Sequence, residues 1–223
     1  MIGCFVTGTD TGVGKTLAAS ALLHALARRH ARVVGMKPVA AGCDRAGGVW
    51  TNEDVLALRA ASTIEAPPEL QNPILLADAV SPHIAAERAG VGIDIGHLVA
   101  CYCALSRRAE AVVVEGAGGF HVPLSRETTG ADLAQALALP VVLVVGLRLG
   151  CLSHALLTAD AIRARGLKLA GWVANRIDAE MQAQEDNIAL LRHKLPAPLL
   201  GDFPHLSRPD ARSVTLLLPP EWT

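Results

Sequence analysis

Gly8-Thr9-Asp10-Thr11-Gly12-Val13-Gly14-Lys15-Thr16 follows the apolar run Ile2–Thr7 and opens the Ala- and Leu-rich stretch Leu17–Arg29. Glycines at this spacing let the backbone curl so that successive N–H groups face one point, and the start of a helix adds its partial positive charge there. Lys15 then reaches the β- and γ-phosphates of a nucleotide, and the Thr16 hydroxyl is placed to ligate Mg²⁺. Five residues separate Gly8 from Gly14, one more than the usual phosphate loop has. Gly-Lys-Thr alone is a weak signal; a strand before it and a helix after it supply the context that makes nucleotide binding the reading.

Outward from the loop, strands and helices alternate. Val33–Lys37 reads as a second strand, Asn52–Ala61 as a helix capped by Asn52, Ile93–Arg107 as a helix and Ala111–Glu115 as a strand stopped by Gly116-Ala117-Gly118-Gly119. A short helix over Thr129/Gly130–Leu137 precedes the strand Val141–Gly146, whose unbroken Val and Leu predict burial on both faces. Cys151–Arg165 (helix), Leu169–Ala174 (strand), Glu180–Lys194 (helix) and final strands over Leu199–Phe203 and Val214–Leu218 complete the pattern, while Pro67 to Ser81 is turn-rich without a period. That order predicts an α/β fold with a central, mostly parallel sheet flanked by helices, in one domain over 1–223. Ligands in such sheets bind at the C-terminal ends of the strands.

Composition narrows the function classes. Among 223 residues, 51% are hydrophobic and 18% charged, the formal net charge is −1, and there are seven aromatic residues. The apolar fraction supports a core, and the absence of a basic cluster or stacking aromatics argues against a nucleic-acid partner. The longest uncharged apolar run, Ala136 to Leu147, is shorter than the about 20 residues of a spanning helix, so no membrane association is expected. Met1-Ile2-Gly3-Cys4-Phe5-Val6 lacks the basic start of a signal peptide. Cysteines 4, 43, 101, 103 and 151 have no framework or zinc-knuckle spacing, which suits reduced thiols in a cytoplasmic protein.

The acids and amides near strand ends have two readings each. Glu115 closes an apolar strand, as the carboxylate of a nucleotide site does, or is a solvent-facing strand end. Asp54 lies where it compensates a helix dipole or faces the metal. Lys37 either ends its strand without further role or holds an anion. Asn175 either reads adenine or forms a turn. His83 and His121 have no ligand partner at metal spacing and are assigned no chemistry.

Taken together, Phe5–Thr16, Lys37-Pro-Val-Ala-Ala-Gly42, Asn72-Pro73, Ser81-Pro-His83, Val114-Glu-Gly-Ala-Gly-Gly119, Leu143-Val-Val-Gly146, Leu149-Gly-Cys151, Ala170-Gly-Trp-Val-Ala-Asn175 and Pro196-Ala-Pro-Leu-Leu-Gly201 resemble the dethiobiotin synthetases, in order and across nearly the whole chain. The resemblance implies a three-layer P-loop fold. It also implies the ATP- and Mg²⁺-dependent joining of CO₂ to 7,8-diaminopelargonic acid in biotin biosynthesis. In that reaction an amine captures CO₂ as a carbamate, the carbamate takes the γ-phosphoryl group, and the second amine closes a cyclic urea, releasing phosphate.

Carried over position by position, the resemblance implies that Gly12, Val13, Gly14, Lys15, Thr16 and Leu17 hold the triphosphate. It makes Thr16, Asp54 and Glu115 the Mg²⁺ ligands and Lys37 and Lys15 the catalytic cations. Glu115, Gly116, Ala117 and Gly118 then line the nucleotide and substrate. Asn175 and Arg176, with Pro204, His205 and Leu206, form the adenine pocket, and Asp210 is the candidate for the ribose. Thr11, Lys37 and Ala41 meet the diamine; position 41 is often Ser in this family, so Ala41 offers only backbone, and position 12 is Glu in some members. The family forms homodimers, in which the substrate carboxylate meets the segment equivalent to Gly150, Cys151, Leu152 and Ser153 of the partner. The alternative is a regulatory or partitioning ATPase of the same superfamily, which usually has an extra lysine early in the loop; Thr9, Asp10 and Thr11 supply none.

Overall fold

The computed structural model describes residues 1–46 and 49–222. Its centre is a six-stranded sheet built from β1 (Ile2–Gly8), β2 (Val33–Met36), β7 (Ala111–Gly119), β8 (Val141–Gly146), β9 (Leu169–Asn175) and β10 (Leu199–Phe203). The order across the sheet is β10-β9-β8-β1-β7-β2, and every neighbouring pair is parallel. The period-2 alternation of strands divides the core into two faces. Phe5, Val112, Val114, Leu143 and Val145 pack on one side, and Cys4, Val6, Val113, Val142 and Val144 on the other. β8 is buried along its whole length, as its apolar run predicts.

Helices cover both faces. α1 (Lys15–Ala27) and α2 (Glu53–Ala61) lie on one; α5 (Ile95–Ser106), α6 (Gly130–Leu137) and α7 (Cys151–Ala164) supply Leu98, Leu105, Leu133, Leu137, Ala155 and Ile162 to the other. α8 (Gln184–Lys194) packs beside α7. No helix among the described residues is long and apolar enough to cross a membrane.

Several elements differ from the sequence reading. β7 continues through Gly116 to Gly119 rather than stopping at Glu115; a Cβ on Gly116 would come within 2.8 Å of the Phe5 ring, so glycine here permits close strand packing. The turn-rich stretch from Pro67 holds α3 (Pro68–Gln71) and β6 (Ile74–Leu76), and β6 pairs in parallel with β3 (Val39–Ala41). β4 (Asp44–Ala46) and β5 (Val49–Thr51) pair antiparallel, and α4 (Pro82–Ala89) follows Ser81. The last long helix starts at Gln184, not Glu180, because Asp178 Oδ1 accepts from the Glu180 N–H (3.0 Å) and holds 178–181 in a turn. Val214–Leu218 forms no strand. Among the described residues a single backbone bond, Leu217 N–H to Leu200 O (2.8 Å), reaches the sheet, and Pro219 and Pro220, lacking N–H groups, end any ladder there.

Candidate functional site

The phosphate loop is shaped by two left-handed glycines, Gly12 (φ +75°) and Gly14 (φ +91°). Gly14 is the N-cap of α1. No side chain caps this helix and no acid lies in its first turn, so its leading N–H groups keep their attraction for an anion. Asn175, at the end of β9, holds the loop: its Nδ2 donates to Val13 O (2.9 Å), and a Cβ on Gly14 would collide with that amide. Arg148, just past β8, pairs with the Asp10 carboxylate, and Lys15 Nζ donates to Asp10 O (2.9 Å).

Three elements bring charge to the loop. Lys37 follows β2, Asp54 lies in the first turn of α2, and Glu115 sits inside β7 opposite Val6. Asn52 caps α2, accepting from Asp54 N–H (3.1 Å), which fixes the angle at which Asp54 leaves the helix. Lys37 Nζ is 2.5 Å from Glu115 Oε1 and 2.8 Å from Asp54 Oδ2, and Lys37 and Glu115 are buried. Asp54 thus both serves the helix start and joins the cluster, and Lys37 is no simple strand end.

Electrostatics follow from this packing. Burial pushes the Glu115 carboxyl up, and the charge of Asp54 adds to it, against Lys37. Burial works against the Lys37 ammonium, but Glu115 and Asp54 outweigh it and hold the group above its ordinary value. Burial also opposes the Asp54 charge, yet Lys37 and Thr16 keep its carboxyl low. Lys15 is lowered to about 8 by burial and by the neighbouring Lys37.

The donor set fits a hard divalent cation. Thr16 Oγ1 lies 2.6 Å from Asp54 Oδ1 and 2.9 Å from Glu115 Oε1, so one hydroxyl proton faces two carboxylate oxygens. Glu115 Oε2 is buried without a hydrogen-bond partner among the described residues. Clustered carboxylate and hydroxyl oxygens of this kind are the ligands Mg²⁺ takes.

A crevice of about 720 Å³ opens over these groups. Of the residues singled out from sequence, it is lined by Thr11, Gly12, Gly14, Lys15, Thr16, Lys37, Ala41, Asp54, Glu115, Ala117 and Gly118. Val13 is buried beneath the loop, and Leu17, in the first turn of α1, packs partly into the core. Gly116 lines a small void of about 10 Å³ beside Glu115 instead. Asn175, Arg176, Pro204, His205, Leu206 and Asp210 lie outside the crevice walls. The Arg176 guanidinium is tied to Asp202 (2.8 Å) and Glu185 (2.6 Å), His205 Nδ1 is 3.1 Å from Arg176 O, and Asp210 Oδ1 accepts from Arg212 N–H (2.9 Å). Gly150, Cys151, Leu152 and Ser153 begin α7, away from the crevice walls, with Gly150 at φ +95°.

The sequence reading did not give roles to Val39, Ala79, Val80, Ser81, Pro82 and Val122, which complete the lining. They come from β3, from the turn before α4 and its first residue, and from the loop after β7, and only the tertiary fold brings them together. Most are apolar, so the crevice has a charged floor and an aliphatic wall.

A family model described as an AAA domain matches residues 3–213. Over 210 residues the chain is 57% identical to the ATP-dependent dethiobiotin synthetase BioD of Janthinobacterium sp. (strain Marseille), covering 92% of this chain and 89% of that protein. The protein of the same name from Ralstonia nicotianae is 57% identical over 209 residues, covering 94% and 91%. Among solved structures, the MinD cell division protein of Aquifex aeolicus matches with a TM-score of 0.58 at 18% identity, over 93% of this chain and 84% of that one. The cell division protein FtsY of Thermotoga maritima matches at 0.54 and 14%, over 99% and 66%. These last two likenesses are likenesses of fold.

Proposed function

The chain belongs to the ATP-dependent dethiobiotin synthetase family, and from that premise we propose how its crevice makes dethiobiotin from 7,8-diaminopelargonic acid, CO₂ and ATP. The observation that carries the reading is the meeting of Lys37 with Asp54 and Glu115 beside the phosphate loop, under a wall of Val39, Ala41, Val80 and Val122. A nucleotide-binding switch needs the loop; it has no need of a buried ammonium facing a crevice with room for a second ligand. The family's reaction uses both.

In this reading the N–H groups from Gly12 to Leu17 hold the triphosphate, and Lys15 leaves the Asp10 carbonyl to meet the β- and γ-phosphates. Thr16, Asp54 and Glu115 would hold Mg²⁺, which neutralises phosphate charge when bound. Lys37 faces the carbamate, the product of amine attack on CO₂, and steadies its negative oxygen for attack on the γ-phosphate. The resulting carbamic–phosphoric anhydride is closed by the second amine, and phosphate leaves. Negative charge moves from carbamate to phosphoryl oxygens throughout, so two fixed cations, Lys37 and Lys15, act mainly by electrostatics. The aliphatic wall suits the hydrocarbon chain of the diamine acid, and Thr11 and Ala41 lie at its amine end. Ala117 and Gly118 are further lining.

Adenine is assigned to Asn175, Arg176, Pro204, His205 and Leu206, with Asp210 toward the ribose. The Arg176 guanidinium is held by its ion pairs, its N–H donates to Phe203 O (3.0 Å) and its carbonyl faces His205 Nδ1, which leaves the aliphatic stem for the base. The substrate carboxylate is assigned to Gly150, Cys151, Leu152 and Ser153 of a second subunit. Leu149 is 95% exposed and Leu157 66% exposed beside this helix start, as a homodimer surface would leave them in one subunit. The reading takes the chain as one domain working in the cytoplasm, in keeping with five free thiols.

The test is phosphate release from Mg-ATP and bicarbonate. It is expected only when diaminopelargonic acid is present. Hydrolysis that ignores the diamine contradicts the reading and favours the ATPase alternative.

A further inference from the structure

Ser81 occupies the N-cap of α4, where a serine ordinarily accepts from the second or third helical N–H. Its side chain makes no such bond. Ser81 Oγ instead lies 2.9 Å from His83 Nδ1, while the Ile84 and Ala85 N–H groups bond only the Ser81 carbonyl. Ser81 also lines the crevice that holds Lys37 and Ala41. The chain thus has, at the wall of the site, a hydroxyl withdrawn from its structural task and set against an imidazole.

The reaction needs such a group. Amine attack on CO₂ and amine attack on the anhydride each expel a proton from nitrogen. Lys37 is a cation with no free lone pair, Lys15 donates to Asp10 O and is assigned to the phosphates, and Asp54 and Glu115 are committed to Lys37, Thr16 and the metal. The crevice's other side-chain hydroxyls are Thr11 and Thr16, and Ala41 brings none.

We propose that Ser81 and His83 form the proton relay for ring closure. This deepens the synthetase reading and rests on it. As the second amine bonds to the carbonyl carbon, the carbon–oxygen bond to phosphate breaks and its electron pair leaves with the phosphate. The amine proton passes to Ser81 Oγ while the Ser81 proton passes to His83 Nδ1, with His83 in the tautomer that already has a proton on Nε2. The imidazolium then loses its Nε2 proton to solvent, and proton exchange with water returns the ring to the Nε2–H tautomer before the next turnover. Glu87, one turn further along α4, accepts from Arg126 Nε (2.9 Å).

The experiment compares wild type, His83→Ala and Ser81→Ala for dethiobiotin formation, nucleotide affinity and melting temperature. General-base loss predicts that kcat falls about a hundredfold. KM for the diamine and nucleotide affinity stay near wild type, and added imidazole restores part of the His83→Ala rate. Ser81→Ala removes a hydroxyl that caps nothing and shows the same kcat loss even if His83→Ala folds poorly. Wild-type kcat in both variants, a loss confined to KM, or a folded His83→Ala enzyme that imidazole leaves unmoved overturns the relay. A wild-type protein that makes no dethiobiotin contradicts the synthetase reading itself, and the relay with it.

Discussion

Lys37 Nζ lies 2.5 Å from Glu115 Oε1, and both side chains are buried where β2 ends beside the middle of β7. Each charge is stable there only because of the other, since removing one partner of a buried pair typically costs about 3–5 kcal/mol. Lys37→Met therefore abolishes most turnover and also lowers the melting temperature. Glu115→Gln added to Lys37→Met recovers a large part of that stability without recovering activity. Equal melting temperatures for wild type and Lys37→Met would show that the pair contributes nothing.

Gly14 has a left-handed φ and no space for a Cβ beside Asn175. Gly14→Ala is expected to cost about 1–3 kcal/mol in backbone strain alone and to lose ATP binding, as read by calorimetric titration. Asn175→Ala removes the donor that holds Val13 O and loosens the same loop more mildly. A hydrogen bond of this kind is worth about 1 kcal/mol, so ATP affinity falls by a few-fold. Unchanged affinity in Asn175→Ala would detach that residue from the loop's shape.

Asp132 accepts from Thr129 N–H and Oγ1 (both 2.7 Å) at the start of α6 and pairs with Arg165 (2.5 Å). The Thr129 hydroxyl first, and Arg165 with it, hold its carboxyl at about 2, against 3.8 for the ordinary group. A depressed carboxyl contributes stability above its unfolded pKa and loses it as pH falls through the folded one. Asp132→Asn is expected to cost about 1 kcal/mol at pH 7. The gap to wild type closes between pH about 4 and about 2, measured by urea unfolding across pH. A gap that persists at pH 2 would contradict the assignment.

The fold and half of the candidate site are legible in the sequence because their signals are local. Gly8 to Thr16 carries its own turn geometry, and the Val and Leu run of β8 states its burial directly. Lys37 and Asp54 were ambiguous because each residue alone fits an ordinary role; their meaning lies in a distance to Glu115 that only the sheet order creates. α4 escaped notice because eight residues starting at a proline show little periodicity, and β6 because three residues are too few for alternation to register. The role proposed for His83 was invisible for a related reason. Metal-ligand spacing relates a histidine to other ligands, whereas the partner of His83 is a serine two residues away whose hydroxyl leaves its cap.

The anhydride route predicts where each oxygen goes, and that can be read directly. When oxygen-18-labelled bicarbonate, equilibrated to labelled CO₂, is turned over with Mg-ATP and 7,8-diaminopelargonic acid, one carbamate oxygen passes to the γ-phosphate and stays there after ring closure. Mass spectrometry of the released phosphate is expected to show one labelled oxygen per phosphate, with label also in the urea carbonyl of dethiobiotin. Unlabelled phosphate formed alongside labelled dethiobiotin would contradict attack by a carbamate held at Lys37.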